Sequence, residues 1–210
     1  MNILLISPPS PGLADKLSYP PLGLMYLASN IKHKVKITNM LVENEPIDNN
    51  CKVYYDAYGI SIHSPADYDV SKRIMRRIRE AQPNAYIVAG GAFPTSMPDF
   101  VLDNTDTNVV VKGEGEFIFN IICKGNKFGL KGIEEADYIP DLDLIQFPAR
   151  HLLPREMIRH DGKVHHSEEP ATTILATRGC PYSCNFCDKG VWGRHYRVRS
   201  IENIADEIKQ

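Results

Sequence analysis

Three cysteines, Cys180, Cys184 and Cys187, lie within eight residues, in the run Cys180-Pro-Tyr-Ser-Cys184-Asn-Phe-Cys187. Thiolates that close together fold round one inorganic centre, and soft sulfur donors select zinc, Cu(I) or iron–sulfur centres. Ferredoxin-type clusters take four cysteines and structural zinc takes four closed ligands, whereas only three are present locally. A cluster held by three cysteines leaves one iron without a protein ligand, open to chelation by a small molecule carrying amino and carboxylate groups. The alternative is zinc, with His195, eight residues beyond Cys187, as the fourth ligand.

The five cysteines are an odd number, and three are clustered, which fits a reducing compartment and metal ligation better than a disulfide framework. Cys51 and Cys123 stand alone and read as ordinary core thiols. His160, His165 and His166 fall in a polar stretch where exposure is the plainer reading.

The Cys-x3-Cys-x2-Cys spacing, with Phe186 just before the third cysteine, resembles the signature of the radical S-adenosylmethionine family. That resemblance implies a [4Fe–4S] cluster on Cys180, Cys184 and Cys187, with S-adenosylmethionine on the open iron. It also implies reductive cleavage to a 5′-deoxyadenosyl radical, with Phe186 near the adenine and an external electron donor. Gly179 and Pro181 would turn the loop. The stretch Tyr196-Arg197-Val198-Arg199-Ser200 is similar to the segment after the cluster loop in branches of the family, and equally reads as a basic turn and an N-cap. Arg197 and Arg199 are candidates to meet an anionic cofactor group.

Elements must hold this loop, and the sequence supplies them. Apolar, β-branched runs at Ile3–Ile6, Val35–Ile37, Ala57–Ile62, Ala85–Ala89 and Val109–Val111 predict five short buried strands. Between them, Leu22, Met25, Leu27, Ala28 and Ile31, then Val70, Ile74, Ile78 and Ala81, recur at helical spacing. Alternating strands and helices predict an α/β fold with a parallel sheet and ligands beyond the carboxyl ends of its strands. The loops there are Ser7-Pro8-Pro9, Ser61 to Pro65, Gly90-Gly91-Ala92-Phe93-Pro94 and Gly113-Glu114-Gly115-Glu116. Arg73, Arg76, Arg77 and Arg79 fall on the polar side of the second helix and read as a solvated face.

From about 124 to 170 the periodicity weakens and prolines recur, which predicts a connector. The run from Thr172 to Thr177 then predicts the first strand of a second unit. Ser200 is placed to N-cap a helix with Ile201, Ile204, Ala205 and Ile208 on one face and Glu202 at its positive start. The boundaries are 1–125 for the first domain, 126–170 for the connector and 171–210 for the start of a barrel expected to continue beyond Gln210.

A parallel five-stranded domain ahead of the cysteine triad resembles the cobalamin-binding branch of the radical family, in which a flavodoxin-like, Rossmann-like domain precedes the (β/α) barrel. The supporting residues are Tyr19-Pro20-Pro21-Leu22-Gly23, Ser61-x-His63 followed after 26 residues by Gly90-Gly91, and Val111-x-Gly113-Glu114-Gly115-Glu116. The resemblance implies that Ser61, His63, Gly90 and Gly91 border a corrinoid's nucleotide tail, the glycines by close approach and positive φ. Strand-to-helix turns are the plainer use of the same residues. The chain lacks the Asp-x-His-x-x-Gly motif that supplies a lower cobalt ligand elsewhere. The implied chemistry is hydrogen abstraction followed by methyl transfer from methylcobalamin, or a related rearrangement. Two other readings stay open: a radical enzyme without cobalamin, similar to the methylthiotransferases, and a noncatalytic iron–sulfur or zinc module.

A net charge of −2 gives no excess of positive charge to argue for nucleic acid, and composition names no partner; the substrate, a small molecule or otherwise, is not legible in these residues. No run approaches the roughly 18 apolar residues of a membrane span, and Met1 leads directly into Ile3–Ile6 without a basic region or cleavage site, which predicts the cytoplasm.

Overall fold

The computed structural model describes residues 1–10, 20–40, 54–124, 130–155, 160–161 and 170–210. Its centre is a six-stranded parallel sheet in the order β2-β1-β3-β4-β5-β6. The strands are β1 (Asn2–Ser7), β2 (Lys34–Asn39), β3 (Ala57–Ser61), β4 (Tyr86–Gly90), β5 (Val109–Lys112) and β6 (Gly132–Glu135). The helices are α1 (Leu22–Ser29), α2 (Pro65–Ala81), α3 (Ala92–Ser96), α4 (Pro98–Asn104), α5 (Gly115–Lys124) and, near the end, α6 (Ile201–Lys209). The flavodoxin-like order 2-1-3-4-5 reverses direction between β1 and β3, the point where such sheets open a ligand crevice at their carboxyl edge.

Both faces of the sheet are buried, because side chains alternate sides along each strand. Ile3, Leu5, Val88, Val109 and Val111 pack on one face with Met25 of α1 and Phe119 of α5. Leu4, Ile6, Ile60, Ile87 and Val110 pack on the other with Ile74, Met75 and Ile78 of α2. Cys123 lies in the first of these clusters, as a core thiol should; Cys51 lies outside the described residues.

Four sequence expectations need correction. The sheet has a sixth strand: β6 lies inside the stretch read as connector and pairs with β5 over four residues, Val109 with Gly132 through Lys112 with Glu135. The same stretch also contributes to packing, since Ile139, Leu142 and Ile145 close over Tyr26.

Residues 172–176 form no strand. Thr177–Arg178 (β9) pairs antiparallel with Arg197–Val198 (β10), so among the described residues 170–210 no parallel barrel unit forms. His160–Asp161 (β7) pairs with Pro170–Ala171 (β8), while His165 and His166 lie outside the described residues.

Ser200 does cap α6, its hydroxyl oxygen accepting from the Asn203 N–H at 3.1 Å, but Ile201 and Ile208 are exposed and the residue that α6 buries is Glu207. Finally, Arg79 leaves the solvated face. Its guanidinium donates to the carbonyls of Pro83, Ala85 and Asp106 and to Asn108 Oδ1, at 2.7 to 3.0 Å, tying α2 to the loops before β4 and β5.

Candidate functional site: the carboxyl edge of the sheet and the cysteine loop

Register brings the predicted crevice residues together. Ser61 and Gly90 are paired neighbours at the ends of β3 and β4. Beyond them the Ile62 N–H donates to Gly90 O at 2.8 Å, and the Phe93 N–H donates to Ile62 O at 3.2 Å.

The two glycines differ. Gly91 has φ +104°, and a Cβ there would lie 2.7 Å from Ile62 O, so the turn itself demands glycine. Gly90 does not adopt positive φ, contrary to expectation, and an added Cβ would meet nothing closer than Val111 O at 3.8 Å. A Cβ at Gly90 would sit in ordinary van der Waals contact with Val111, so the position tolerates a small side chain where Gly91 does not.

His63 lies next in the same loop, reaching solvent while protein atoms crowd its ring. That desolvation pushes its pKa below the ordinary value, with the Asp67 carboxylate pulling the other way. The loop is fixed by Ser64, whose N–H and hydroxyl both donate to Asp67 Oδ2, at 3.1 and 3.0 Å. Asp67 is buried, and its Oδ1, like the Thr38 hydroxyl near the end of β2, has no hydrogen-bond partner among the described residues. Buried acceptors normally find a partner in protein, water or ligand.

The cysteine loop runs from Gly179 to Tyr196, between β9 and β10. Gly179 has φ +83°, and a Cβ there would collide with the His195 carbonyl, so the two ends of the loop touch. The Cys180 N–H donates to Gly193 O and the Cys187 N–H to Cys184 O, both at 3.3 Å. Cys180 is half-buried, while Cys184 and Cys187 are exposed free thiols.

Phe186 is 93% exposed. The His195 ring packs against Tyr138, centroids 5.6 Å apart. Among the described residues, no group of three or more His, Cys, Asp or Glu side chains converges as a metal site. The donor chemistry nonetheless fits an iron–sulfur cluster: three soft thiols, none in a disulfide, on one accessible loop.

Two sets of contacts seat this loop on the sheet's carboxyl edge. Asp188 accepts a hydrogen bond from Ser96 of α3, and the position of Gly190 is so close to Thr95 that a Cβ would lie 2.8 Å from its methyl. Thr95 in turn accepts from the Gly113 N–H at 3.1 Å.

The second set is ionic. Arg178 donates to Glu114 at 2.7 Å and to Glu116 at 2.5 Å, and Arg197 donates to the other oxygen of Glu114 at 2.6 Å. All four side chains are almost fully buried. Burial alone would lower the Arg178 pKa, but Glu116 and Glu114 outweigh it and the net shift is upward. Arg199 and Arg150 meet Glu207 in the same way. Arg197 and Arg199 are therefore matched by the protein's own carboxylates rather than left for an anionic cofactor. The sequence carries a signal in the acidic pair Glu114 and Glu116 and in the alternating Arg197 and Arg199, but their pairing is nonlocal and no spacing rule reveals it.

With this geometry in view, comparison with known proteins is decisive at the level of family. The family model described as B12 binding domain matches residues 14–122, the segment that carries β2 to β5 and most of α5. The chain belongs to the B12-binding domain family. The resemblance drawn from Ser61, Gly90-Gly91 and the Glu114 segment is thus borne out at the level of the domain.

Relatives extend the likeness across the chain. An uncharacterized methyltransferase of Pyrococcus horikoshii is 30% identical over 99% of this chain and 50% of its own length. An anaerobic magnesium-protoporphyrin IX monomethyl ester cyclase of Synechocystis is 26% identical over 99% of this chain and 46% of its own. A hopanoid C-3 methylase of Methylococcus capsulatus is 24% identical over 96% and 42%. The chain spans about half or less of the length of these curated relatives. Among the described residues no helix is long and apolar enough to cross a membrane.

Proposed function

We propose that this chain is the cofactor-bearing amino-terminal part of a radical S-adenosylmethionine enzyme that uses cobalamin, acting in the cytoplasm on a small-molecule substrate with a reducing electron donor. The observation that carries this reading is the seating of the Cys180–Cys187 loop, through Asp188 on Ser96 and Arg178 on Glu114, at the carboxyl edge of a B12-binding domain's sheet. The match to a methylase, a methyltransferase and a cyclase supports enzymatic chemistry of methyl transfer or rearrangement.

In this reading Cys180, Cys184 and Cys187 hold a [4Fe–4S] cluster, and Phe186, exposed at the loop's surface, covers the adenine of S-adenosylmethionine. When bound, the cluster supplies the electron that cleaves S-adenosylmethionine to a 5′-deoxyadenosyl radical. The chain's residues do the rest. Ser61 offers a hydroxyl beside Gly90, where the lack of a side chain lets a nucleotide tail run close to the backbone. His63, held below its ordinary pKa, stays neutral near pH 7 and is a hydrogen-bonding partner rather than a cation at the crevice lip.

A second reading keeps the radical chemistry and drops cobalamin, favoured by the missing Asp-x-His-x-x-Gly sequence. Equilibrating the folded chain with hydroxocobalamin and passing it over a sizing column separates the two. About one corrinoid retained per chain, and reduced retention in Gly90→Val, is the expected result. A folded chain that retains none would leave only the second reading.

A further inference from the structure

Glu114 occupies an unusual position between the two halves of the candidate site. It comes after β5 and Gly113, whose N–H is held by Thr95 of α3, so its backbone belongs to the crevice edge. Its two carboxylate oxygens are divided between the two stems of the cysteine loop: Oε1 takes Arg178, two residues before Cys180, and Oε2 takes Arg197, just past Tyr196. Each arginine is otherwise committed to protein. Arg178 also reaches Glu116, while Arg197 donates to Ile139 O at 2.5 Å and Trp192 O at 2.9 Å and lies over the Tyr138 ring. A carboxylate accepts from two guanidinium groups at once, one N–H on each oxygen, and a buried pair is screened little by salt.

We propose that Glu114 is a positioning residue: one carboxylate that closes both stems of the cysteine loop and ties them to the carboxyl edge of the B12-binding sheet. The consequence for a bound cluster, a fixed place relative to the crevice, rests on the function proposed above. The closure of the loop does not.

The comparison that tests this is Glu114→Gln against Glu116→Gln. Both remove one buried negative charge next to Arg178, but only Glu114 spans the stems. A glutamine at 114 has a single acceptor oxygen, and its NH2 then confronts the second guanidinium donor to donor. Glu116→Gln leaves the bridge intact.

Amide hydrogen exchange on the apo chain reads the stems directly, at the Cys180 N–H held by Gly193 O and the Arg199 N–H held by Ala176 O. The expected result is at least about tenfold faster exchange there in Glu114→Gln, less than about threefold in Glu116→Gln, and no change at Ile60 or Ala89 in the central strands. Equal acceleration in the two variants, or none in either, overturns the proposal. If circular dichroism finds Glu114→Gln unfolded, the paired variant Glu114→Gln, Arg197→Gln, which removes one charge of each sign, takes its place in the comparison.

A second readout is the EPR spectrum of the reduced, iron- and sulfide-reconstituted chain. Glu114→Gln should take up iron yet lose the spectral change that S-adenosylmethionine causes in the parent, and a change retained in full counts against positioning. A parent chain that takes up no cluster while the exchange pattern holds defeats the proposed function and leaves the clamp standing.

Discussion

Asp188, the residue after Cys187, accepts a hydrogen bond from the hydroxyl of Ser96, the last residue of the short helix α3 that Gly91 caps. One five-residue helix thus touches the glycine turn of the crevice at its start and the cysteine loop at its end. Asp188 also orders the loop locally, its Oδ1 accepting from the Gly190 N–H at 2.8 Å.

Because these bonds are exposed, Asp188→Ala should cost no more than about 1 kcal/mol of global stability. Its effect is local. The Gly190 amide should exchange faster while the sheet's denaturation midpoint stays within error. A large drop in that midpoint would mean that Asp188 supports the core rather than the loop.

Gly90 and Gly91 should respond differently to alanine. At Gly91, positive φ and the 2.7 Å approach to Ile62 O predict destabilisation of about 2 to 4 kcal/mol. At Gly90 a Cβ meets Val111 only at ordinary contact distance, 3.8 Å, and the cost should be below about 1 kcal/mol. Denaturant melts of the two variants check this, and comparable losses would refute the distinction between a structural and a ligand-facing glycine.

Glu207 accepts from Arg150 and Arg199 while fully buried, so its removal leaves two guanidinium groups short of a partner. Glu207→Leu should destabilise the docking of α6 by about 3 to 5 kcal/mol, whereas Lys209→Ala, whose salt bridge to Asp206 is exposed, should change little. Thermal melts monitored by exchange in α6 distinguish the two.

Burial pushes the Cys123 thiol from the usual 9.0 to about 12. The folded state thus prefers the protonated thiol. Its stabilising contribution is complete below pH 9.0 and is lost as pH climbs from there toward 12. Thiolate is the reactive form, and at about pH 8 the buried thiolate is scarce. Native alkylation with iodoacetamide at that pH should label Cys184 and Cys187 and spare Cys123 until the chain is unfolded. Labelling of Cys123 in the native chain would contradict its place in the core.

The four central strands β1, β3, β4 and β5 are legible in the sequence because each is a largely apolar run buried on both faces, and β2, at one edge, shows through its alternating Val35 and Ile37. The sixth is not: Gly132-Ile-Glu-Glu135 at the sheet's edge has one apolar residue and is held by backbone bonds to β5 that leave no hydrophobic signature. The barrel strand expected from Thr172 to Thr177 fails for the converse reason, since apolar residues there meet no parallel partner among the described residues. In α6 the periodic face is apolar, as its spacing says, yet it is not the buried face, because an ion cluster at Glu207 decides which side docks. At the candidate site, the Ser61–Gly90 juxtaposition comes directly from strand order. The Glu114 bridge does not, since it joins residues 64 and 83 positions apart.

The measurement that bears most directly on the central claim is anaerobic reconstitution of the chain with iron and sulfide, followed by EPR of the reduced sample with and without S-adenosylmethionine, beside Cys184→Ala. The account predicts about four irons per chain, a reduced [4Fe–4S] signal that shifts when S-adenosylmethionine is added, and loss of both in the variant. Stoichiometric zinc with no cluster, or a signal indifferent to S-adenosylmethionine, would contradict it.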